Sequence, residues 1–100
     1  MTYKVIIRPA AEDDLAEAID WHEERQVGLG KRLLAHVNET ISKLAERPDL
    51  FGIVVHKQLR RANVRRFPYG VFYQIMDQSI IVVAVLHARR APRRWKSRVE

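Results

Sequence analysis

The side chains of this sequence that could do chemistry gather in one stretch, VLHARRAPRRW, from Val85 to Trp95. It follows directly on SIIVVAVL, an almost purely aliphatic run. Metal-free cleavage of RNA needs a base for the 2′-hydroxyl, an acid for the leaving oxygen, and cations for the charge that builds on phosphorus. His87 could serve as acid or base, with Arg65 and Arg89 as the cations. The same stretch can also act without chemistry. Arg and Trp are the residue types most often found as interface anchors, so Arg61, Arg65, His87, Arg89, Arg90, Arg93, Arg94 and Trp95 form a candidate contact set. Each has a plainer role too. A lone histidine at a strand end is more often a hydrogen-bonded structural residue than a catalyst. Arginines keep a tail soluble, and Trp95 can pack on a sheet.

Other chemistries find little support. There is no cysteine, so no disulfide framework or thiolate metal site can form. His22, His36 and His56 have no ligand spacing, and the HEE at His22 lacks the second histidine of a zinc helix. No cofactor or metal is expected. The strands carry no aromatic-rich motif of the kind found on RNA-recognition sheets.

One hundred residues suit one domain, taken as 1–100. The absence of cysteine suits a reducing cytoplasm. The start of the chain lacks a signal-peptide pattern, and the apolar run Ile80 to Leu86 is too short to cross a bilayer as a helix. Charge is divided unevenly. Residues 1–50 hold seven Lys/Arg and ten Asp/Glu, while residues 51–100 hold eleven and two. A second half at net +9 points to an anionic partner, either nucleic acid or an acidic protein.

The elements that would position these residues follow from periodicity. TYKVII alternates and is β-branched, which predicts a strand over Tyr3–Ile7. Pro9 suits the first turn of a helix running to Glu24, with Ala11, Leu15, Ala18, Ile19 and His22 as its buried stripe. Its acids Glu12, Asp13 and Asp14 fall where the helix dipole favours negative charge. QVGLG breaks the helix. A second helix is expected over Leu29–Arg47, with Leu33, Val37, Ile41 and Leu44 inward and Glu39 paired with Lys43. Pro48 ends it. The second half reads as an antiparallel meander: a strand over Leu59–Phe67, a turn at Pro68–Gly70, a strand VFYQIM, a turn at Asp77–Ser79, and IIVVAVL. PDLFGIVVH is the least defined segment, extended in part. Alternation places Arg65 and Arg66 on opposite faces of their strand.

The last strand is apolar on both faces. By simple alternation Ile80, Val82, Ala84 and Leu86 lie on one and Ile81, Val83 and Val85 on the other. Both faces read apolar only when both are covered. The two helices can cover one. The other must be met by the chain's own tail or by another polypeptide, and a basic rim around an open apolar face favours the polypeptide.

Four local marks, in order along nearly the whole chain, resemble the RelE/ParE superfamily of bacterial toxins: AEDDLAEAIDW at Ala11–Trp21, ERPDLFG at Glu46–Gly52, RRFPYGVFYQI at Arg65–Ile75, and VLHARRAPRRW. The last two look like the ParE side of the superfamily. The resemblance implies an α+β fold: an N-terminal strand, a two-helix hairpin and a three-stranded antiparallel meander, with the helices on one face and the first strand beside the last. It implies the toxin of a type II toxin–antitoxin module of the plasmid-stabilising, growth-arresting kind, neutralised by an acidic cognate antitoxin. On the ParE side the implied target is DNA gyrase, poisoned by protein contact with no catalytic side chain required. The alternative is a RelE-like endoribonuclease that cleaves messenger RNA on the ribosome. RelE-type nucleases carry a late tyrosine or His–Tyr pair. Here Ala88 follows His87, and no tyrosine comes after Tyr73.

Overall fold

A computed structural model describes residues 2–89 together with Lys96 and Arg98. The chain runs β1 (Lys4–Ile7), α1 (Pro9–Arg25), α2 (Leu29–Glu46), a single turn α3 (Pro48–Phe51), β2 (Ile53–His56), β3 (Leu59–Asn63), β4 (Tyr69–Met76) and β5 (Ser79–His87). The strands form one sheet in the order β1-β5-β4-β3-β2. β1 lies parallel to β5, and every other neighbour pair is antiparallel.

The helical hairpin is set by a few local interactions. Arg8 is extended and Pro9 opens α1 with the φ that a first turn needs. Ala11, Asp14, Ala18 and His22 are the buried residues of α1, at helical spacing. The turn into α2 uses Gly28 at φ +89°, a conformation that favours glycine. Glu23 ties it down by accepting hydrogen bonds from the Gly28 and Gly30 amides at 2.8 and 3.0 Å. A Cβ on Gly30 would sit 2.8 Å from the Ile19 carbonyl oxygen, so the helices approach closely only because that residue is glycine. The expected Glu39–Lys43 pair forms at 3.3 Å but is exposed, so it contributes only a few tenths of a kcal/mol.

Three expectations about the strands change. PDLFGIVVH supplies a full strand, β2, so the sheet has five strands rather than four. β3 ends at Asn63 rather than Phe67. Arg66 takes a left-handed φ of 68°, which β-structure cannot continue through. The Val64 amide donates to the Tyr69 carbonyl, closing a turn. Arg65 and Arg66 therefore lie exposed in that turn, not on the two faces of a strand. Finally, a bulge interrupts simple alternation on β5. Phe72 pairs with Ala84 but Tyr73 pairs with Val82, which leaves Val83 as the extra residue.

The bulge redistributes the core. Ile80, Val82 and Val85 face the helices with Val71, Tyr73, Ala62 and Val64. Ile81, Val83, Ala84 and Leu86 face the other side with Phe72 and Leu59. The expectation that this second face lies open is corrected, since none of those six residues is more than 8% exposed. Part of the cover is Arg61. A Cβ on Gly70 would lie 2.9 Å from Arg61 Cγ, so the Arg61 stem lies flat over the strand beside it. The exposed apolar residues on this face are at its rim: Ile6, Ile53 and Met76.

Tyr73 anchors the α2–α3 junction to the sheet. Its hydroxyl donates to the Pro48 carbonyl oxygen at 2.7 Å in the interior, packed so tightly on Gly52 that a Cβ there would overlap the hydroxyl oxygen. Burial pushes the phenol above its ordinary value, opposed by the nearby Arg60 guanidinium. A raised folded pKa means this contribution is complete below about pH 10, where an unfolded tyrosine begins to ionise, and is lost as pH rises through the folded value. Tyr73→Phe leaves a buried carbonyl without its donor and should cost about 1–3 kcal/mol in a urea titration at neutral pH. The same variant should show a shallower fall in stability above pH 10 than the parent.

Candidate functional site

The candidate residues gather where β5 leaves the sheet. Tyr69 opens β4 directly opposite His87, the last residue of β5. Their rings meet edge to face at 5.4 Å between centroids. The Ala88 amide then donates to the Pro68 carbonyl oxygen at 2.8 Å, which carries the pairing with β4 one residue further. The Arg89 amide donates to His87 Nδ1 at 3.1 Å. An acceptor Nδ1 carries no proton, so neutral His87 holds its proton on Nε2.

Behind Tyr69 lies an aromatic stack that the sequence did not single out. His22 is 7% exposed, with its Nδ1 donating to the Ala18 carbonyl oxygen at 2.7 Å. Its ring meets Trp21, Phe67 and Tyr69 at centroid distances of 4.9, 5.6 and 5.6 Å. The Arg25 guanidinium covers the Trp21 ring at 3.7 Å. Between α1 and the end of β5 is a groove of about 390 Å³, walled by Glu17 and Trp21 on one side and by Tyr69, Leu86, His87 and Arg89 on the other. The periodicity of α1 placed His22 on a buried stripe. Its pairing with Tyr69 depends on how the helix lies across the sheet, which periodicity does not encode.

The predicted residues are only partly brought together. His87 is half-buried and Arg89 exposed at this end of the sheet, and the turn that carries Arg65 is at the same end. Arg61 stands apart, in mid-sheet on the face away from the helices, with its Nε buried and no hydrogen-bond partner among the described residues. Arg60 is engaged with the Gly52 carbonyl oxygen at 3.1 Å. Arg90, Arg93, Arg94 and Trp95 lie outside the described residues. Among the described residues no cluster of His, Asp or Glu could hold a metal ion, and no helix is long and apolar enough to cross a membrane.

Asp14 is a site residue that sequence reasoning took only for a dipole partner. Its carboxylate is buried against β5. Oδ2 accepts from the Val85 amide at 3.1 Å and from Arg98 Nη1 at 2.5 Å, and Oδ1 accepts from Arg98 Nη2 at 2.9 Å. Arg98 Nη1 also donates to the Val83 carbonyl oxygen at 3.2 Å. The carboxylate pushes the guanidinium pKa further up, against the effect of burial.

The profile of the ParE toxin of the type II toxin–antitoxin system, parDE, matches residues 5–92. The chain belongs to the ParE toxin family. It is 28% identical over 93 residues to Toxin ParE2 of Mycobacterium tuberculosis H37Rv, which spans 92% of this chain and 88% of that one. The fold is similar to the toxin–antitoxin complex RelBE2 from M. tuberculosis, with TM-score 0.66, 25% identity and coverage of 87% of this chain and 99% of that one. It is also similar to a mutant of the E. coli toxin RelE in the free state, with TM-score 0.73, 16% identity and coverage of 99% and 96%. The α+β architecture, with β1 beside β5, is that of the RelE/ParE toxins. Membership makes the chain the toxin of a type II module and implies a cognate antitoxin as its partner.

The role of His87 can be tested on the toxin directly. His87→Gln keeps an amide able to accept from Arg89 and removes the titratable ring. Growth arrest on induction should persist in the variant. A general acid or base contributes roughly a hundredfold or more to a rate, so loss of arrest with intact folding and antitoxin binding would mark His87 as catalytic.

Proposed function

We propose that this ParE-family toxin poisons DNA gyrase by protein contact while the DNA is cut, and is not itself an enzyme. The observation that supports this best is the environment of His87. One ring nitrogen is engaged by the Arg89 amide, and the ring meets Tyr69 edge to face. Among the described residues no carboxylate is hydrogen-bonded to it to act as a second proton-transfer group. What the end of β5 offers instead is contact surface: an aromatic stack, a groove and a cationic segment that continues through Arg90, Arg93 and Arg94 to Trp95. Pro92, within this segment, has no amide to donate to a ladder. Residues 91–100 are the part needed for toxicity and add little to antitoxin affinity.

The antitoxin is proposed to be acidic and to lie across the sheet face away from the helices. The buried centre of that face moves the apolar contact to its rim, at Ile6, Ile53 and Met76, with the unpaired Arg61 Nε between them. One observation favours the alternative, a ribosome-dependent endoribonuclease cleaving mRNA. Tyr69 stands across the ladder from His87, so a His–Tyr pair that the order of the sequence lacks exists in space.

A gel separates the two readings. A gyrase poison traps cleaved plasmid DNA when mixed with purified gyrase and leaves mRNA intact in a ribosome assay. Cleaved mRNA with no trapped DNA would overturn the proposal. For the antitoxin, Arg89→Glu with Arg90→Glu should mainly slow association, since rim charges act on encounter. Added salt should weaken binding without abolishing it, because the apolar part is not screened. A changed dissociation rate with unchanged association would contradict that placement.

A further inference from the structure

β1 ends at Ile7, four residues into its pairing with β5. The Arg8 amide makes one more bond, to the Val82 carbonyl oxygen. Beyond it, no strand among the described residues lies beside the outer edge of β5, although β5 runs on to His87. An open edge presents unpaired amides and carbonyls. Here two side chains from distant parts of the sequence fill it. Asp14, from α1, accepts from the Val85 amide, and Arg98 donates to the Val83 carbonyl oxygen that the bulge leaves over. The two side chains are then joined by paired hydrogen bonds, with 6% of Asp14 and 22% of Arg98 exposed.

We propose that Asp14 and Arg98 form a latch that closes the outer edge of β5 and returns the segment after His87 to the sheet, holding the basic stretch between Arg89 and Arg98 at both ends. One end is fixed by the Ala88 and Arg89 amides. The other is fixed by a two-pronged guanidinium–carboxylate contact, a geometry that Lys cannot reproduce. Tethering the chain at Arg89 and at Arg98 lowers the entropy of what joins them before any target is met, which favours binding by preorganisation. Arg98 is thus a positioning residue for the cationic contact segment. This functional consequence rests on the gyrase-contact reading above, whereas the latch does not. Removing everything from Arg93 onward would also strip Asp14 of its partner and leave a buried charge uncompensated.

The test uses the full chain with Arg98→Ala, Arg98→Lys and Asp14→Asn. Asp14→Asn keeps an acceptor for the Val85 amide but loses the ion pair, so it checks the latch from the other side. Trypsin cleavage between Arg89 and Lys96 is followed by mass spectrometry under native conditions. Arg98→Ala and Asp14→Asn should be cut about tenfold faster than the parent or more, because cleavage tracks the population of the opened segment. Arg98→Lys should fall between. Equal rates for all four proteins would overturn the latch. The same proteins are then assayed for trapped gyrase–DNA complex and for antitoxin binding. Poisoning should fall in Arg98→Ala and recover in part in Arg98→Lys, with antitoxin affinity unchanged. Faster cleavage with undiminished poisoning would leave the latch standing and overturn the gyrase-contact role of the segment.

Discussion

The structure depends on the burial of one strand from every direction. β5 is enclosed by the helices on one face and by Arg61 and its neighbours on the other. Along one edge it pairs with the whole of β4, and along the other with β1, then Asp14 and Arg98. A strand covered on both faces must be aliphatic throughout, which accounts for SIIVVAVL. Its last residue must carry the chain out of the apolar interior in one step. His87, half-buried between Tyr69 and the Arg89 amide, is that step. The abrupt change from aliphatic to cationic residues that marks the sequence is the boundary between the central strand and the basic stretch that follows it.

This arrangement also explains the division of charge. The acids of α1 leave Asp14 facing inward, where it meets an edge amide and an arginine, and turn Glu12, Asp13, Glu17, Asp20 and Glu24 to solvent. Of the described bases of the second half, Arg61 sits on the sheet face away from the helices, Arg65 and Arg66 in the β3–β4 turn, and Arg89 just after β5. A molecule whose acids crowd the outer side of one helix steers an acidic partner away from that helix. For a family whose members are held in check by an antitoxin, such orientation speeds correct encounter.

Much of the fold was legible because it depends on local period. The helical stripes, the break at Gly28, and the doubly apolar last strand all follow from spacings within one element. What was not legible depends on backbone irregularity or on contacts between distant residues. The bulge at Val83 moves Val85 to the helix side, and nothing in an unbroken aliphatic run marks which residue is extra. The left-handed Arg66 ends β3 early, although RRANVRRF alternates well enough to read as strand through Phe67. IVVH was too short to stand out beside PDLFG, and it became β2 only by pairing with Leu59–Arg61. Asp14 looked like one acid among seven on α1. Its burial follows from β1 ending at Ile7 and leaving Val85 an amide to satisfy, a relation across 71 positions. The candidate site shows the same split. His87 and Arg89 were visible as an odd ending to a strand, whereas Tyr69, Trp21 and His22 became neighbours only when α1 lay across the sheet.

The central claim is that β5 is a closed, rigid beam whose exit presents a contact segment to the target. Hydrogen exchange on the toxin, alone and with purified gyrase, tests it most directly. The account predicts that β5 amides, Val85 included, exchange among the slowest in the chain in both states. New protection on adding gyrase should concentrate after His87. Fast exchange at Val85 in the free toxin, or gyrase-induced protection confined to the helices, would contradict it.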